Sequence, residues 1–121
     1  MKQIAIGDRS YRVIGAERDG QWTAYAERVD TGDRFGIECA GATEDEAVAR
    51  LTRWLEWQAE HAAALADLQR AERAYHRTIA GSAFASASEG PSAIEMQKES
   101  LDAVEAARVR LDEIRARRPV T

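Results

Sequence analysis

Residues 42–80 contain neither glycine nor proline, and their apolar positions recur at alternating steps of three and four. Residues with this spacing lie on one face of a helix, so the pattern predicts a single long helix. From Thr43 to Ala80 it would be about 55 Å long. A small sheet cannot cover that length, so the second half of the helix needs another partner. The predicted seam is Leu51, Trp54, Gln58, His61, Leu65, Leu68, Glu72, Tyr75 and Ile79.

The start of this helix has a clear sequence signal. Thr43 and Glu46 have the spacing of a capping box, in which the Thr43 hydroxyl accepts from the Glu46 amide and the Glu46 carboxylate reaches back. At the other end, Gly81 can take the left-handed conformation that closes a helix. The helix is therefore predicted to run from Thr43 to about Ala80.

A second helix follows a short stretch of small residues. Ser92 is the predicted N-cap, and Pro119 ends the helix. Two long helices joined this way predict an antiparallel hairpin, and abundant alanines favour close packing of one hairpin on another in a four-helix dimer. The second helix has an apolar stripe, predicted as one face, of Ile94, Leu101, Val104, Leu111 and Ile114.

The first forty residues have the alternation and turn residues of strands joined by hairpins. Strands are predicted over 11–17, 21–29 and 34–40, with Asp19 and Gly20 in a tight turn. Ile4 and Ile6 either add an edge strand or cover one end of the sheet. The predicted fold is α+β: a three-stranded antiparallel sheet packed on a long helix that continues into an antiparallel helical hairpin. Residues 1–60 form the predicted sheet domain and residues 61–118 the hairpin, a predicted dimerisation element.

Composition excludes several classes of function. The net charge of −4 and pI near 5.2 argue against general binding to nucleic acids or anionic membranes. One cysteine allows no intramolecular disulfide, and no segment resembles a signal peptide or a membrane span, so the predicted location is the cytoplasm. The excess of arginine over lysine suggests a GC-rich bacterial coding bias.

Candidate sites are few. Glu72 and His76 are four apart and are candidate metal ligands, although a bundle metal site needs more inward ligands and a surface pair is the favoured interpretation. Cys39 is in phase with Phe35 and Ile37, which favours a buried core residue over a nucleophile. We predict no catalytic residues and no cofactor.

Two surfaces are candidates for partner binding. A basic group lies at the end of the second helix, where compensation of the helix dipole is the favoured explanation. It comprises Arg108, Arg110, Arg115, Arg117 and Arg118. The predicted dimer interface comprises Trp57, Leu65, Leu68, Tyr75, Phe84, Leu101, Val104 and Leu111. In the connecting loop, Phe84 is predicted to close the end of the hairpin or to insert into the other subunit.

The segment Gly41-Ala42-Thr43-Glu44-Asp45-Glu46-Ala47 follows the predicted strands and opens the helix. It resembles the Gly-x-Thr-x-x-Glu-Ala junction of HicB-like antitoxin N-terminal domains, over residues 3–60. The resemblance implies a partial ribonuclease-H-like β-β-β-α fold. It also implies neutralisation of a partner ribonuclease and, in many members, a DNA-binding segment.

Three functions are compatible with these features. The first is a small non-enzymatic interaction or regulatory protein that homodimerises through its helical hairpin. The second is a HicB-like antitoxin or regulator that binds a toxin ribonuclease, with or without additional binding of nucleic acid. The third is a ligand- or metal-binding site at the hairpin loop, built from Tyr75, His76, Arg77 and Phe84. Well-capped long helices without a catalytic constellation favour the first.

Overall fold

The computed structural model of the protein describes residues 2–83 and 90–119. As predicted, the fold is α+β, with an antiparallel sheet packed against helix. No helix in the described ranges has an apolar stretch long enough to cross a membrane. The elements are β1 (Lys2–Ile6), β2 (Arg9–Arg18), β3 (Gln21–Arg28), β4 (Arg34–Gly41), α1 (Glu44–Ala83) and α2 (Gly90–Ala116).

The sheet has four antiparallel strands in the order β1-β2-β3-β4, so the prediction of three strands is wrong. The additional strand is β1, in which Ile4 pairs with Tyr11. Ile4 and Ile6 pack against the core while their neighbours are exposed, which is the period-two pattern of a strand with one buried face. The two-residue loop Gly7-Asp8 joins β1 to β2, so the first strand folds back directly on the second.

The turn between β2 and β3 is confirmed. Arg18 pairs with Gln21, which leaves Asp19 and Gly20 as a two-residue loop. Their φ angles are 54° and 78°. Positive φ at both positions is characteristic of the turn whose twist matches that of two antiparallel strands, and Asp-Gly is a favoured pair for it.

The pairing of β3 with β4 is irregular, because the register shifts between Ala24 and Ala26. Gly36 lies opposite this shift and has a φ of 85°. A Cβ at Gly36 would lie only 2.6 Å from Cζ3 of Trp54. Position 36 of the bulged strand therefore requires glycine for two reasons: its backbone has a positive φ, and the indole of Trp54 approaches it closely.

One face of the sheet packs against the beginning of α1. Leu51 and Leu55 of the helix are 0% and 2% exposed, and burying a leucine contributes about 1.5 to 3 kcal/mol. The Trp54 ring centroid lies 6.5 Å from those of Phe35 and Trp57, so aromatic rings connect the sheet to the helix. The buried members of this core are Tyr11, Val13, Ala24, Ala26, Cys39, Ala47, Leu51, Trp54 and Leu55.

The predicted cap of α1 forms, with one change of partner. The Glu46 amide donates to Thr43 Oγ1 at 3.1 Å, and Glu46 Oε2 accepts from the Ala42 amide at 3.2 Å. Arg50 bonds the Ala40 carbonyl at 2.8 Å and pairs with Glu46 at 2.7 Å. These contacts satisfy amides at the helix start and fix α1 to the end of β4.

The helix ends next to the connection differ from the predictions. α1 continues through Gly81 to Ala83, so Gly81 does not close it. α2 begins at Gly90, two residues before the predicted N-cap Ser92. Pro91 fits this earlier start, because the first amides of a helix have no acceptor within it and proline lacks that donor.

The chain divides into two compact units. Met1–Ala59 with Arg118–Thr121 form the sheet unit, and Glu60–Arg117 form the helical unit. Within the helical unit, Arg117 lies 3.5 Å from Glu60. The last turns of α2 thus lie beside residues near 60 in α1, and only residues 84–89 connect the helices. The two helices therefore run antiparallel within this unit.

Candidate interaction surface

The helical unit has a small core. Its buried hydrophobic residues in the described ranges are Ala64, Val104, Leu111 and Ile114, each at most 4% exposed. Val104 and Leu111 were predicted to lie in a dimer interface. Since both are covered by their own chain, they have almost no surface left for a second molecule.

The other predicted interface residues retain more surface. Leu101 is 39% exposed. Trp57 belongs to the sheet unit, where the Arg118 guanidinium lies 5.6 Å from its ring centroid, so part of its surface is already covered. Phe84 lies outside the described residues. The half-buried members of the set are Trp57, Leu65, Leu68 and Tyr75.

The apolar stripe predicted for α2 is not one face, and that prediction is wrong. Ile94 is 68% exposed, whereas Val104 is 4% exposed. Their separation of ten positions corresponds to a rotation of about 80° away from a common face at 3.6 residues per turn. The sequence pattern thus combined two neighbouring faces, of which only one packs within the helical unit.

Exposed large hydrophobic side chains are concentrated in the helical unit. Of six in the described ranges, Val29 alone belongs to the sheet unit, at 38% exposed. Single exposed apolar residues are ordinary, but their concentration in one unit makes that unit the candidate interaction surface. Met96 and Val109 lie outside the predicted seam of α1 and the predicted stripe of α2, so the apolar pattern of the sequence did not indicate them. The five in the helical unit are Ile79, Ile94, Met96, Leu101 and Val109.

The basic group at the end of α2 is largely committed to contacts within the chain. Arg117 pairs with Glu60, and Arg115 Nε lies 3.3 Å from Nε2 of His61. Arg118 lies over the Trp57 ring. Arg108 and Arg110 are also exposed. Three of the five arginines are therefore already in contact with other side chains of their own unit.

The candidate metal ligands are not brought into a ligand cluster. Glu72 is half-buried and His76 is exposed, with the His76 ring 6.1 Å from that of Tyr75. Among the described residues, no three histidine, cysteine, aspartate or glutamate side chains are close enough to hold a metal ion. Within the described ranges, the geometry thus offers Glu72 and His76 no further ligand.

Cys39 lies in the core of the sheet unit and is 1% exposed. Burial raises the pKa of the Cys39 thiol, because removal from water disfavours the charged thiolate. A nucleophilic cysteine requires the opposite shift and an accessible sulfur. The position is therefore suited to packing.

Among the clefts formed by described residues, two open ones lie on the sheet unit. The smaller, about 250 Å³, is lined by residues of both charges beside the β1–β2 loop. The larger, about 470 Å³, lies between Lys2 and the first turns of α1. Neither contains a histidine or cysteine to act with its carboxylates. The smaller cleft is lined by Asp8, Arg9, Ser10, Arg28, Val29 and Asp30. The larger cleft is lined by Lys2, Asp45, Val48, Ala49, Thr52 and Arg53.

The junction that resembles HicB-like domains has a structural explanation at each matching position. Thr43 and Glu46 cap α1, and Ala47 is fully buried. A Cβ at Gly41 would lie 2.6 Å from the Ala47 amide nitrogen, so glycine is needed for the sheet to approach the helix. No protein-family model matches the chain, and no curated protein and no solved structure shows significant similarity to it.

Proposed function

We propose that the protein is a small, non-enzymatic interaction or regulatory protein that homodimerises through its helical unit. The observation that carries this proposal is the concentration of exposed Ile, Leu, Met and Val side chains on α2 and the end of α1. Removing such surface from water is the main favourable contribution to association.

The small core of the helical unit supports the same proposal. An isolated pair of antiparallel helices has one seam to bury and is marginally stable. Ala64 is the buried residue that α1 contributes to this core in the described ranges, and its side chain is a single methyl group. Association of two hairpins would add a second buried face, and a symmetric dimer is the commonest way for a chain to provide one.

The non-enzymatic part of the proposal is supported by the clefts and the cysteine. Neither cleft contains a histidine or a cysteine, the side chains that most readily act as a general base or a nucleophile near neutral pH. Cys39 is buried with a raised pKa. The surface features of the chain are those of a binding protein.

Sedimentation velocity across micromolar concentrations tests the proposal. We expect the wild-type protein to sediment as a dimer and Leu101→Asp to shift it towards monomer, because a buried carboxylate at the interface would be unpaired. Val29→Asp is the matched control, since Val29 is 38% exposed and Leu101 39% but Val29 lies in the sheet unit. A wild-type monomer at tens of micromolar would contradict the proposal.

A second candidate function is that of a HicB-like antitoxin or regulator. It is supported by the order of antiparallel strands followed by the Gly41–Ala47 junction and a capped helix. In that case the sheet unit would bind a ribonuclease. The test is coexpression with the product of any adjacent gene for a small basic toxin, with co-purification and loss of toxicity as the expected results. Survival of full toxicity would reject it.

A further inference from the structure

α2 has a second face, separate from the one that packs within the helical unit. At 3.6 residues per turn, Ile94, Leu101 and Val109 fall within an arc of about 80°. This arc lies about 130° around the helix from the mean direction of the buried residues of α2. The three side chains are 68%, 39% and 57% exposed. With Lys98 and Glu105, which fall in the same arc, they form what we call the outer face of α2.

The outer face has a regular order of residue types. Lys98 lies between Ile94 and Leu101, and Glu105 lies between Leu101 and Val109. Both charged side chains are exposed, and neither forms an ion pair within the described ranges. The order along the face is apolar, basic, apolar, acidic, apolar. When a second copy of the face runs in the opposite direction, its acidic residue lies opposite the basic residue of the first and its apolar residues lie opposite apolar residues. A second copy of this face, turned end for end, is therefore a matching surface.

We infer that the outer face of α2 binds the outer face of a second copy in antiparallel orientation, with the two-fold axis beside Leu101. Ile94 then faces the partner's Val109, and Lys98 faces the partner's Glu105. Leu101 meets the partner's Leu101 at the axis. Because the axis repeats every contact, the interface contains two equivalent ion pairs. This inference rests on the proposed homodimer and specifies its surface and register.

Other arrangements of the same helices place like charges together. A parallel pair would bring Lys98 against the partner's Lys98 and Glu105 against the partner's Glu105. An antiparallel pair displaced by one heptad would place the axis at Glu105, so that the two Glu105 carboxylates face each other. Juxtaposed like charges select against such alternatives. The arrangement centred on Leu101 avoids both.

Complementary charge reversals test this register. Lys98→Glu and Glu105→Lys each convert both ion pairs into like-charge contacts, so the dissociation constant of each variant alone should rise about tenfold or more. An equimolar mixture should restore dimers near wild-type affinity, because each contact in the mixed dimer again joins opposite charges. Native mass spectrometry identifies the mixed dimer by its mass, and sedimentation gives the affinities.

The outcomes separate the register from the homodimer. If the wild-type protein dimerises and both variants dimerise with the wild-type dissociation constant, the register is wrong and the homodimer stands. The same conclusion follows if the wild-type protein dimerises but the mixture of the two variants stays monomeric. If wild-type is monomeric, both proposals fail. Far-ultraviolet circular dichroism confirms that each variant is folded.

Glu99→Lys and Arg110→Glu are the matched control. Both residues are exposed on α2 but lie more than about 100° from the centre of the outer face. Neither reversal should change the dissociation constant by more than about twofold. If the control pair raises the dissociation constant of the dimer as much as the test pair does, the assignment of the outer face is wrong.

Discussion

The two units of the chain differ in how they bury apolar side chains. Nine of the thirteen buried hydrophobic residues described belong to the sheet unit and four to the helical unit, whereas five of the six exposed large hydrophobic residues belong to the helical unit. A sheet presents a broad face that one helix can cover, but a pair of helices buries only one seam. One unit thus closes its core within the chain, while the other leaves apolar surface exposed, which we propose serves association.

The largest effect should come from the core of the sheet unit. Leu51→Ala removes a fully buried side chain, and such changes cost about 2 to 5 kcal/mol in the free energy of unfolding. The loss should be the same at all protein concentrations. Urea unfolding followed by circular dichroism at two concentrations measures it.

Leu101→Ala is the counterpart in the helical unit. Its effect on the unfolding midpoint should grow with protein concentration, because the side chain would be covered only in the proposed dimer. An equal, concentration-independent loss for Leu51→Ala and Leu101→Ala would remove the distinction between the units.

An effect of similar size should distinguish close packing from backbone strain within the sheet unit. Gly36→Ala places a Cβ 2.6 Å from the Trp54 ring at a φ of 85°. We expect about 1 to 2 kcal/mol of backbone cost and about 1 to 3 kcal/mol more from overpacking. Urea unfolding gives the free energy, and near-ultraviolet circular dichroism reports displacement of the indole.

Gly32→Ala is the matched control for this change. Gly32 has a φ of 77°, but nothing lies within 4 Å of a Cβ at that position. It should show the backbone cost alone and leave the aromatic signal unchanged. Equal losses at the two positions would mean that the sheet unit is less closely packed around Trp54 than its geometry indicates.

The smallest effect concerns pH. Arg34 pairs with Glu38 at 2.7 Å and lies over the Tyr25 ring, and its hydrogen bond holds the pKa of Glu38 below the ordinary value. A lowered folded-state pKa contributes stability above the unfolded pKa, near pH 4, and this contribution disappears as the pH falls through the folded value. Glu38→Gln should therefore lose slightly less stability between pH 7 and pH 3 than wild type.

The control for the pH experiment is Glu99→Gln in the helical unit, because Glu99 forms no ion pair within the described ranges. It should follow the wild-type pH profile. Thermal unfolding across the pH range measures all three proteins. A steeper acid loss in Glu38→Gln than in wild type would contradict the assigned direction.

The elements that sequence predicted well depend on local chemistry. Asp19 and Gly20 specify their turn, and Thr43 with Glu46 specifies the start of α1, because each interaction involves residues close in sequence. The first strand was left open because five residues with two isoleucines give little pattern. Its turn at Gly7-Asp8 carried the missing signal, since glycine at the first position of a two-residue loop favours a hairpin.

The features that sequence missed depend on longer-range geometry. The shift of register between Ala24 and Ala26 lies opposite Gly36, where β4 approaches Trp54, a residue distant in sequence. On α2, each step of seven residues in the predicted stripe drifts by about 20° and each step of three by about 60° in the same direction, so Ile94 and Ile114 lie about 160° apart. The outer face of α2 therefore became visible only from the exposure of individual side chains.

Because Cys39 is buried, its thiol can report transient opening of the sheet unit. Cys39 is the only cysteine of the chain and is 1% exposed, and alkylating reagents need an accessible thiolate. Labelling of the unmodified protein would therefore proceed only through transient opening, and its rate would measure the opening equilibrium without any introduced probe. The rate at which the Cys39 thiol is labelled would thus report how often the native sheet opens.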